Sequence, residues 1–289
     1  MKHLLLCGFG YVARCLTEQL YHKDICQNFT ATVHSEASGA AAYSVNAVPF
    51  DELDLSSHSD ITHILLSIPP SALGDPTCNK YLSQLVKLKN LKWIGYLSST
   101  GVYGNHNGGW VTEQSPLNIE GAHNHNRRLA EQQWLQALRE HSLPVHIFRL
   151  SGIYGPNGRS AFDSILAGIS RIIDEPTAIF SRVHVTDIAQ VLTASMLGAL
   201  APGSIYNVAD DYPCNPGEVI RLAHKLLGLS APKLIALKDA GLSEMGLSFY
   251  RHQKRVNNAK LKRELNYQFL YPTYESGLRA IARVYGYKI

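Results

Sequence analysis

The stretch Leu4-Leu5-Leu6-Cys7-Gly8-Phe9-Gly10-Tyr11-Val12-Ala13 constrains this chain more than any other. An apolar run over His3–Cys7 reads as a short buried strand. G-x-G-x-x-A follows at once, and Val12, Cys15, Leu16 and Leu20 then repeat at helical spacing over Tyr11–His22. A strand turning on glycines straight into a helix begins a βαβ unit. In that turn Gly8 permits the tight bend, Gly10 lets backbone approach a pyrophosphate, and Ala13 allows close helix–strand packing. The helix N-terminus at Tyr11 offers free N–H groups and a partial positive charge. A dinucleotide is therefore the expected ligand, held by Gly8, Gly10, Tyr11 and Val12; the plain alternative is a tight turn with nothing bound. The basic start and the leucines also suggest an export signal, but such a signal wants an apolar core of ~7–15 residues. Here Gly8-Phe9-Gly10 interrupts it.

The alternation continues downstream. Phe29–Val33 reads as a second strand, Tyr43–Val48 as a third, His63–Ser67 as a fourth, Trp93–Leu97 as a fifth and Val145–Leu150 as a sixth. Tyr81, Leu85 and Leu88 mark a helix between the fourth and fifth, and Glu120–Leu138 another before the sixth. Buried strands alternating with helices imply an α/β fold with a doubly wound parallel sheet, the Rossmann architecture, whose ligands sit at the carboxyl ends of the strands. Beyond Ser151 the rhythm becomes irregular. Phe162, Ile165, Leu166, Ile169, Ile172 and Ile173 read as one helical apolar stripe, and Asn215-Pro216-Gly217-Glu218 as a capped helix start. We expect a dinucleotide-binding domain over residues 1–155, to which 179–208 returns, and a smaller carboxyl-terminal substrate lobe from 156–178 and 209–289. No internal repeat or low-complexity tract occurs.

Composition narrows the function. A hydrophobic share of 45% with 17% charged residues suits a globular chain of 289 residues. Five scattered cysteines without C-x-x-C spacing argue against a disulfide framework and a zinc site, and fit a reducing, cytoplasmic setting. The 13 histidines include no H-E-x-x-H, and His123-Asn124-His125 makes a poor ligand pair, so no metal is expected. No window is apolar enough to span a membrane. The net charge of +4 is mild, and much of it lies in Arg251–Leu265. Without interleaved aromatics that stretch reads as a solvated face or a phosphate-recognising lobe, and nucleic acid is not the expected partner.

The end of the second strand bears on the cofactor. An acid there would accept hydrogen bonds from the ribose hydroxyl of NAD. Thr32-Val33-His34-Ser35-Glu36 has none at the expected place unless Glu36 reaches back. His34 and Ser35 can donate to a ribose phosphate, so between NADP and NAD the sequence leans to NADP. Asp51 is a candidate adenine contact, a solvated loop aspartate being the alternative, and Ser67, closing the fourth strand, is a further cofactor candidate.

From Tyr96–Gly104 (YLSSTGVYG) onward the chain resembles the extended short-chain dehydrogenase/reductases, the NAD-dependent epimerase/dehydratase family. Thr112–Pro116 (TEQSP), Arg149–Pro156 (RLSGIYGP), Val183–Ala189 (VHVTDIA), Tyr206–Pro213 (YNVADDYP), Arg255–Asn258 (RVNN) and Tyr271–Tyr274 (YPTY) follow in the family's order. The resemblance implies a nicotinamide cofactor, a lobe that often accepts sugar nucleotides, and a homodimer paired through helices at roughly Lys80–Lys89 and Arg127–Arg139. Family members use a Ser or Thr at the end of strand five and a Y-x-x-x-K helix. The hydroxyl falls on Ser99, with Thr100 beside it. Counting back from Glu131, the Lys place holds Arg127 and the Tyr place His123, so both are replaced. Arg127 is still a cation able to reach ribose hydroxyls, though a planar fork is not an ammonium. His123 titrates near neutrality and can exchange a proton without a depressed pKa. The pattern resembles an atypical bacterial branch of the family.

Tyr250-Arg251-His252-Gln253-Lys254 is a literal Y-x-x-x-K, which we read as coincidence because it lies far past strand five. Arg182 precedes Val183-His184-Val185, near where many sugar-nucleotide epimerases place a diphosphate arginine but closer to Asp187 than theirs commonly is to the aspartate, with a salt bridge to Asp187 or a neighbouring carboxylate as its structural alternative. Two functions stay open. One is an NAD(P)-dependent oxidoreductase or epimerase/dehydratase-like enzyme with a small polar substrate, a nucleotide sugar among the candidates. The other is a non-catalytic NAD(P)-binding sensor with a degenerate site. An RNA-associated role would rest on the basic Arg251–Arg263 stretch alone.

Overall fold

A computed structural model describes residues 1–34 and 43–287. In chain order the elements are β1 (Leu4–Cys7), α1 (Tyr11–His22), β2 (Phe29–Val33), β3 (Asn46–Pro49), β4 (His63–Leu66), α2 (Pro76–Leu85) and β5 (Trp93–Ser99). Then come β6 (Trp110–Val111), α3 (Ala122–His141), β7 (Val145–Leu150), β8 (Gly152–Tyr154), α4 (Ala161–Leu166), β9 (Ile172–Ile173), β10 (Arg182–His184) and α5 (Val185–Leu197). The chain ends with β11 (Ile205–Val208), α6 (Pro216–Leu226), β12 (Leu234–Ile235), α7 (Glu244–Arg251), β13 (Arg255–Val256), α8 (Ala259–Glu264) and α9 (Tyr274–Val284).

Seven strands form one sheet in the order β11-β7-β5-β4-β1-β2-β3. All its pairings are parallel. Alternation along each strand divides its side chains between two cores, because successive residues face opposite sides of a sheet. Leu4 and Leu6 pack with Val12, Leu16 and Leu20 of α1 and with Ile188, Val191 and Leu192 of α5. Leu5 and Cys7 face the other way, with Cys78, Tyr81 and Leu85 of α2 and Ala130 and Trp134 of α3. Both faces are covered, which is why β1, β4 and β7 are buried at every position rather than alternating. This is a Rossmann fold. The strand order reverses at β1, with β2 on one side and β4 on the other. A crevice at the carboxyl ends of such strands is where doubly wound sheets bind ligands.

A separate core of Tyr154, Phe162, Cys214, Ala223, Tyr274, Leu278 and Ile281 holds α4, α6 and α9 together. The capped start at Asn215 is present: its side chain and that of Glu218 satisfy each other's backbone N–H groups, and Pro216 opens α6.

Two expectations are corrected. The stripe from Phe162 to Ile173 is not one helix. α4 ends at Leu166, Gly168 takes φ +69°, and Ile172–Ile173 pairs with Leu234–Ile235 as a strand. Leu166 and Ile169 are exposed, so the run was apolar without being a single buried face. The third strand begins at Asn46 rather than Tyr43, and Tyr43 instead packs its ring against Tyr21 of α1.

Candidate cofactor and active site

The turn from β1 to α1 is held open by its glycines. Gly8 sits at φ +92°, and a Cβ there would fall 2.9 Å from Ser67 Oγ and 3.3 Å from the Ile68 nitrogen. Only glycine fits. Its N–H donates to Thr32 Oγ1 at 3.0 Å, tying the turn to β2. Ser67 Oγ lies 3.1 Å from the Cys7 carbonyl and 3.0 Å from that of Gly8, so one hydroxyl braces the turn from β4. Gly10 differs. It is the N-cap of α1 in extended backbone, and a Cβ built on it meets no atom within 4 Å. No side chain caps α1, and no acid stands in its first turn. An uncapped helix start leaves its leading N–H groups free, which suits an anion. Tyr11 and Val12 offer backbone only: Tyr11 Oη donates to the Pro156 carbonyl at 2.7 Å, and Val12 is buried in the core.

Of the ribose candidates, His34 is exposed just past β2, while Ser35 and Glu36 lie outside the described residues. Asp51 is exposed and ion-paired with Lys80, whose hydrogen bond holds its carboxyl below the usual range. That pairing commits Asp51 to a surface contact with α2.

The catalytic candidates meet where β5 ends against the start of α3. Ser99 caps the 3-10 turn Thr100–Tyr103, its Oγ accepting from the Gly101 N–H at 3.0 Å. Thr100 is buried and its hydroxyl is turned to the Leu150 carbonyl, 3.4 Å away. The two hydroxyls therefore point to different surroundings, and Ser99 is the accessible one. His123 lies in the exposed first turn of α3, one helical turn before Arg127. Partial burial, and then the Arg127 charge, lower its pKa, so the ring is neutral at pH 7. Arg127 Nη1 donates to the Leu97 carbonyl at 2.7 Å and lies 3.4 Å from Tyr96 Oη. Its Nε is buried without a partner.

Beneath this corner runs a buried polar network. Glu131 accepts from Ser98 Oγ at 2.6 Å and from Arg149 Nε and Nη2 at 3.0 and 2.8 Å. Arg149 Nη1 donates to Tyr103 Oη at 2.9 Å, which donates to Asn207 Oδ1 at 2.7 Å. One chain of bonds thus joins β5, α3, β7 and β11, and fixes Ser99 through its neighbour Ser98.

Two residues given no role at this site by the sequence stand here, Asn124 and the Lys254 set aside as part of a chance Y-x-x-x-K. Asn124 places its Oδ1 2.3 Å from where a Cβ on Gly101 would stand, so α3 touches the Ser99 turn directly. Lys254 Nζ donates to the Gly104 carbonyl just beyond that turn, at 3.2 Å, and burial lowers its pKa to about 8. The fold closes, over 150 positions, the distance along the chain that set this lysine aside in the sequence. Tyr250 does not share a helical face with it: α7 ends at Arg251, and the Tyr250 ring packs on Phe180. The salt bridge suggested between Arg182 and Asp187 does not form. Arg182 Nη1 donates to the Phe180 carbonyl at 3.0 Å and to Cys214 Sγ at 3.1 Å, whereas Asp187 accepts from Tyr267 Oη and the Leu270 and Tyr271 N–H groups.

A glycine turn at the switch point of a doubly wound sheet, with a serine and a helix crossing the next strand ends, defines a Rossmann-type nucleotide-binding protein. Comparison with known proteins places it further. Residues 78–209 match the model of the NAD dependent epimerase/dehydratase family. A functionally unknown conserved protein from Silicibacter pomeroyi is 39% identical, with 98% of this chain and 99% of that one covered and a TM-score of 0.89. The chain belongs to the NAD-dependent epimerase/dehydratase family, the extended short-chain dehydrogenase/reductases. More distant likeness in fold extends to the Bacillus cereus UDP-glucuronic acid 4-epimerase in complex with UDP-glucuronic acid and NAD, at 18% identity, 98% of both chains and TM-score 0.79. A human epimerase family protein with NADPH is similar at 16% identity, 98% and 99% coverage and TM-score 0.74. No curated protein matches the sequence. Among the described residues no helix is long and apolar enough to cross a membrane.

Proposed function

We propose that this chain is an NAD(P)-dependent oxidoreductase or epimerase/dehydratase-like enzyme for a small polar substrate of the nucleotide-sugar kind. The observation that carries this reading is the open side of Gly10 above the uncapped start of α1, with β4 alone between its strand and the one that ends in the Ser99 turn. The Gly10 turn and the N–H groups of Tyr11 and Val12 would hold the pyrophosphate. Arg127 Nε, a buried donor with no partner, sits on the residue that the resemblance assigns to ribose hydroxyls. A bound nicotinamide supplies a hydride acceptor. Ser99 hydrogen-bonds a substrate oxygen, and neutral His123 takes the proton from that oxygen, work worth ~10²–10⁴ in rate. Relatives in fold whose complexes contain UDP-glucuronic acid and NAD, or NADPH, support the substrate class and leave the choice of cofactor between two. The lack of an acid at His34 and Ser35, directly after Val33, favours NADP.

One observation favours the second reading, a non-catalytic binder. Arg127 spends Nη1 on the Leu97 carbonyl, as a structural tie between α3 and β5 would. The deciding experiment follows nicotinamide absorbance on mixing the protein with NADP or NAD and UDP- or dTDP-sugars. Reduction by the natural chain, lost in His123→Ala, supports the enzyme. Reduction only in the double variant His123→Tyr with Arg127→Lys supports the binder.

A further inference from the structure

At the amino ends of the central strands, away from the glycine turn, the fold gathers three side chains that no motif joins. His3 precedes β1, and His58 and Asp60 lie in the connection from β3 to β4. One ligand atom from each lies within 4.8 Å of the others. His3 Nδ1 is 3.1 Å from Asp60 Oδ1, and the His3 and His58 rings meet edge to face at 5.6 Å between centroids. Sequence pattern pointed away from metal because it weighs neighbours along the chain, and these residues are 55 or more positions apart except for the His58–Asp60 pair.

The surroundings of the trio are built as those of a ligand set are. Metal-bound histidine commonly donates its second ring N–H to a fixed acceptor, which sets the tautomer and ring orientation. His3 Nε2 lies 2.9 Å from Thr30 Oγ1, a buried hydroxyl of β2, so Nδ1 is the nitrogen aimed at Asp60. Asp60 in turn has its second oxygen held by Asn28 Nδ2 at 3.2 Å. The loop is anchored on both sides of His58 by buried Leu55 and Ile61, with the His58 N–H donating to the Leu55 carbonyl and its carbonyl accepting from Ile61. His3 itself is buried and bonded through its carbonyl to the N–H groups of Thr62 and His63. Two imidazoles and one carboxylate match a borderline transition ion, with positions left for water. Calcium and magnesium prefer an all-oxygen shell.

We propose that His3, His58 and Asp60 form a binding site for a divalent transition-metal ion of the zinc, cobalt or nickel kind, which clasps the β3–β4 connection to the start of β1. The ion replaces the proton shared by His3 Nδ1 and Asp60 Oδ1. Four residues of β1, about 13 Å at ~3.3 Å each, separate it from the glycine turn, so its role is structural rather than catalytic.

The test uses the tag-free, chelator-treated full chain, titrated with Co2+ or Zn2+ by calorimetry and followed for Co2+ by visible absorption. Expected are one tight ion per chain, a rise in melting temperature with Zn2+, and no response to Mg2+. His58→Ala and Asp60→Asn alter exposed or half-buried side chains and keep the fold, which circular dichroism checks. Each should weaken Co2+ binding at least about tenfold, while His141→Ala on the surface of α3 leaves it unchanged. Wild-type affinity in both variants, or no one-to-one binding by the natural chain, overturns the proposal and leaves His3–Asp60 as a plain hydrogen-bonded pair.

Discussion

Replacing Glu131 with glutamine tests the packing beneath the candidate site. Glu131 and Arg149 are both out of solvent, and Glu131 is the ion partner of Arg149. Glutamine keeps the volume but turns one acceptor oxygen into a donor that faces Ser98 Oγ and Arg149 Nε, or Arg149 Nη2 and Arg128 Nη1. The Arg149 charge is then left in the interior without a counter-charge, with one amide oxygen and Tyr103 Oη as its partners. Breaking a buried pair from one side costs about 3–5 kcal/mol. For a chain this long, at ~2 °C per kcal/mol, the melting temperature should fall roughly 6–10 °C. Urea unfolding followed by circular dichroism measures the loss, with an unchanged slope showing that the same surface is exposed. Arg128→Ala is the internal control. That side chain is 30% exposed and reaches Glu131 only at 3.4 Å, so its loss should cost no more than about 1 kcal/mol. A Glu131→Gln cost equally small would refute the reasoning, because it would mean that water screens the pair.

Three further outcomes are expected. Asp210 is buried, one of its oxygens has no partner, and burial pushes its pKa up to about 8. Its folded pKa lies above the unfolded ~3.9, so the stability it confers is complete below about pH 4 and is lost as pH rises towards 8. The melting-temperature gain of Asp210→Asn should therefore widen from pH 4 to 8 and then level off; a gain flat across that range would mean Asp210 is ionised in the fold. If His123 moves the substrate proton, activity should fall as pH drops through a group below ~6.5, and Arg127→Ala should weaken cofactor binding where His123→Ala does not. An unchanged Kd in a folded Arg127→Ala would restrict that arginine to its tie to Leu97. If relatives' pairing holds here, α2 and α3 form a dimer interface and light scattering at micromolar concentration gives twice the chain mass of 31.9 kDa; a monomer would remove the idea.

How far the sequence could be read depended on the distance over which each feature is decided. The β1 turn and α1 are local: a strand, two glycines and a 3.6-residue repeat lie within twenty positions, and α1 spans Tyr11–His22 as the repeat implies. The α6 cap is equally local, since Asn215 and Glu218 satisfy each other. The α4 region misled because periodicity cannot separate a helix from a short apolar run, and Gly168 ends the helix before Ile172 pairs in a strand. What remained hidden lies across the chain. Lys254 reaches Gly104 over 150 positions, and His3 meets Asp60 over 57. Arg182 lost its expected partner because Asp187 is occupied by the Tyr267–Tyr271 segment, a choice that spacing between the two could not reveal.

The central claim, that the first glycine turn holds a dinucleotide, is tested most directly by Gly10→Val with calorimetric titration of NADP and NAD. A side chain at this position meets no protein atom where its Cβ begins, and the backbone φ of −86° is one that valine adopts, so folding and melting temperature should be nearly unchanged. Binding should weaken at least tenfold, ~1.4 kcal/mol, because the side chain occupies the space a pyrophosphate needs. A folded Gly10→Val protein that binds both cofactors as tightly as the natural chain would contradict the account.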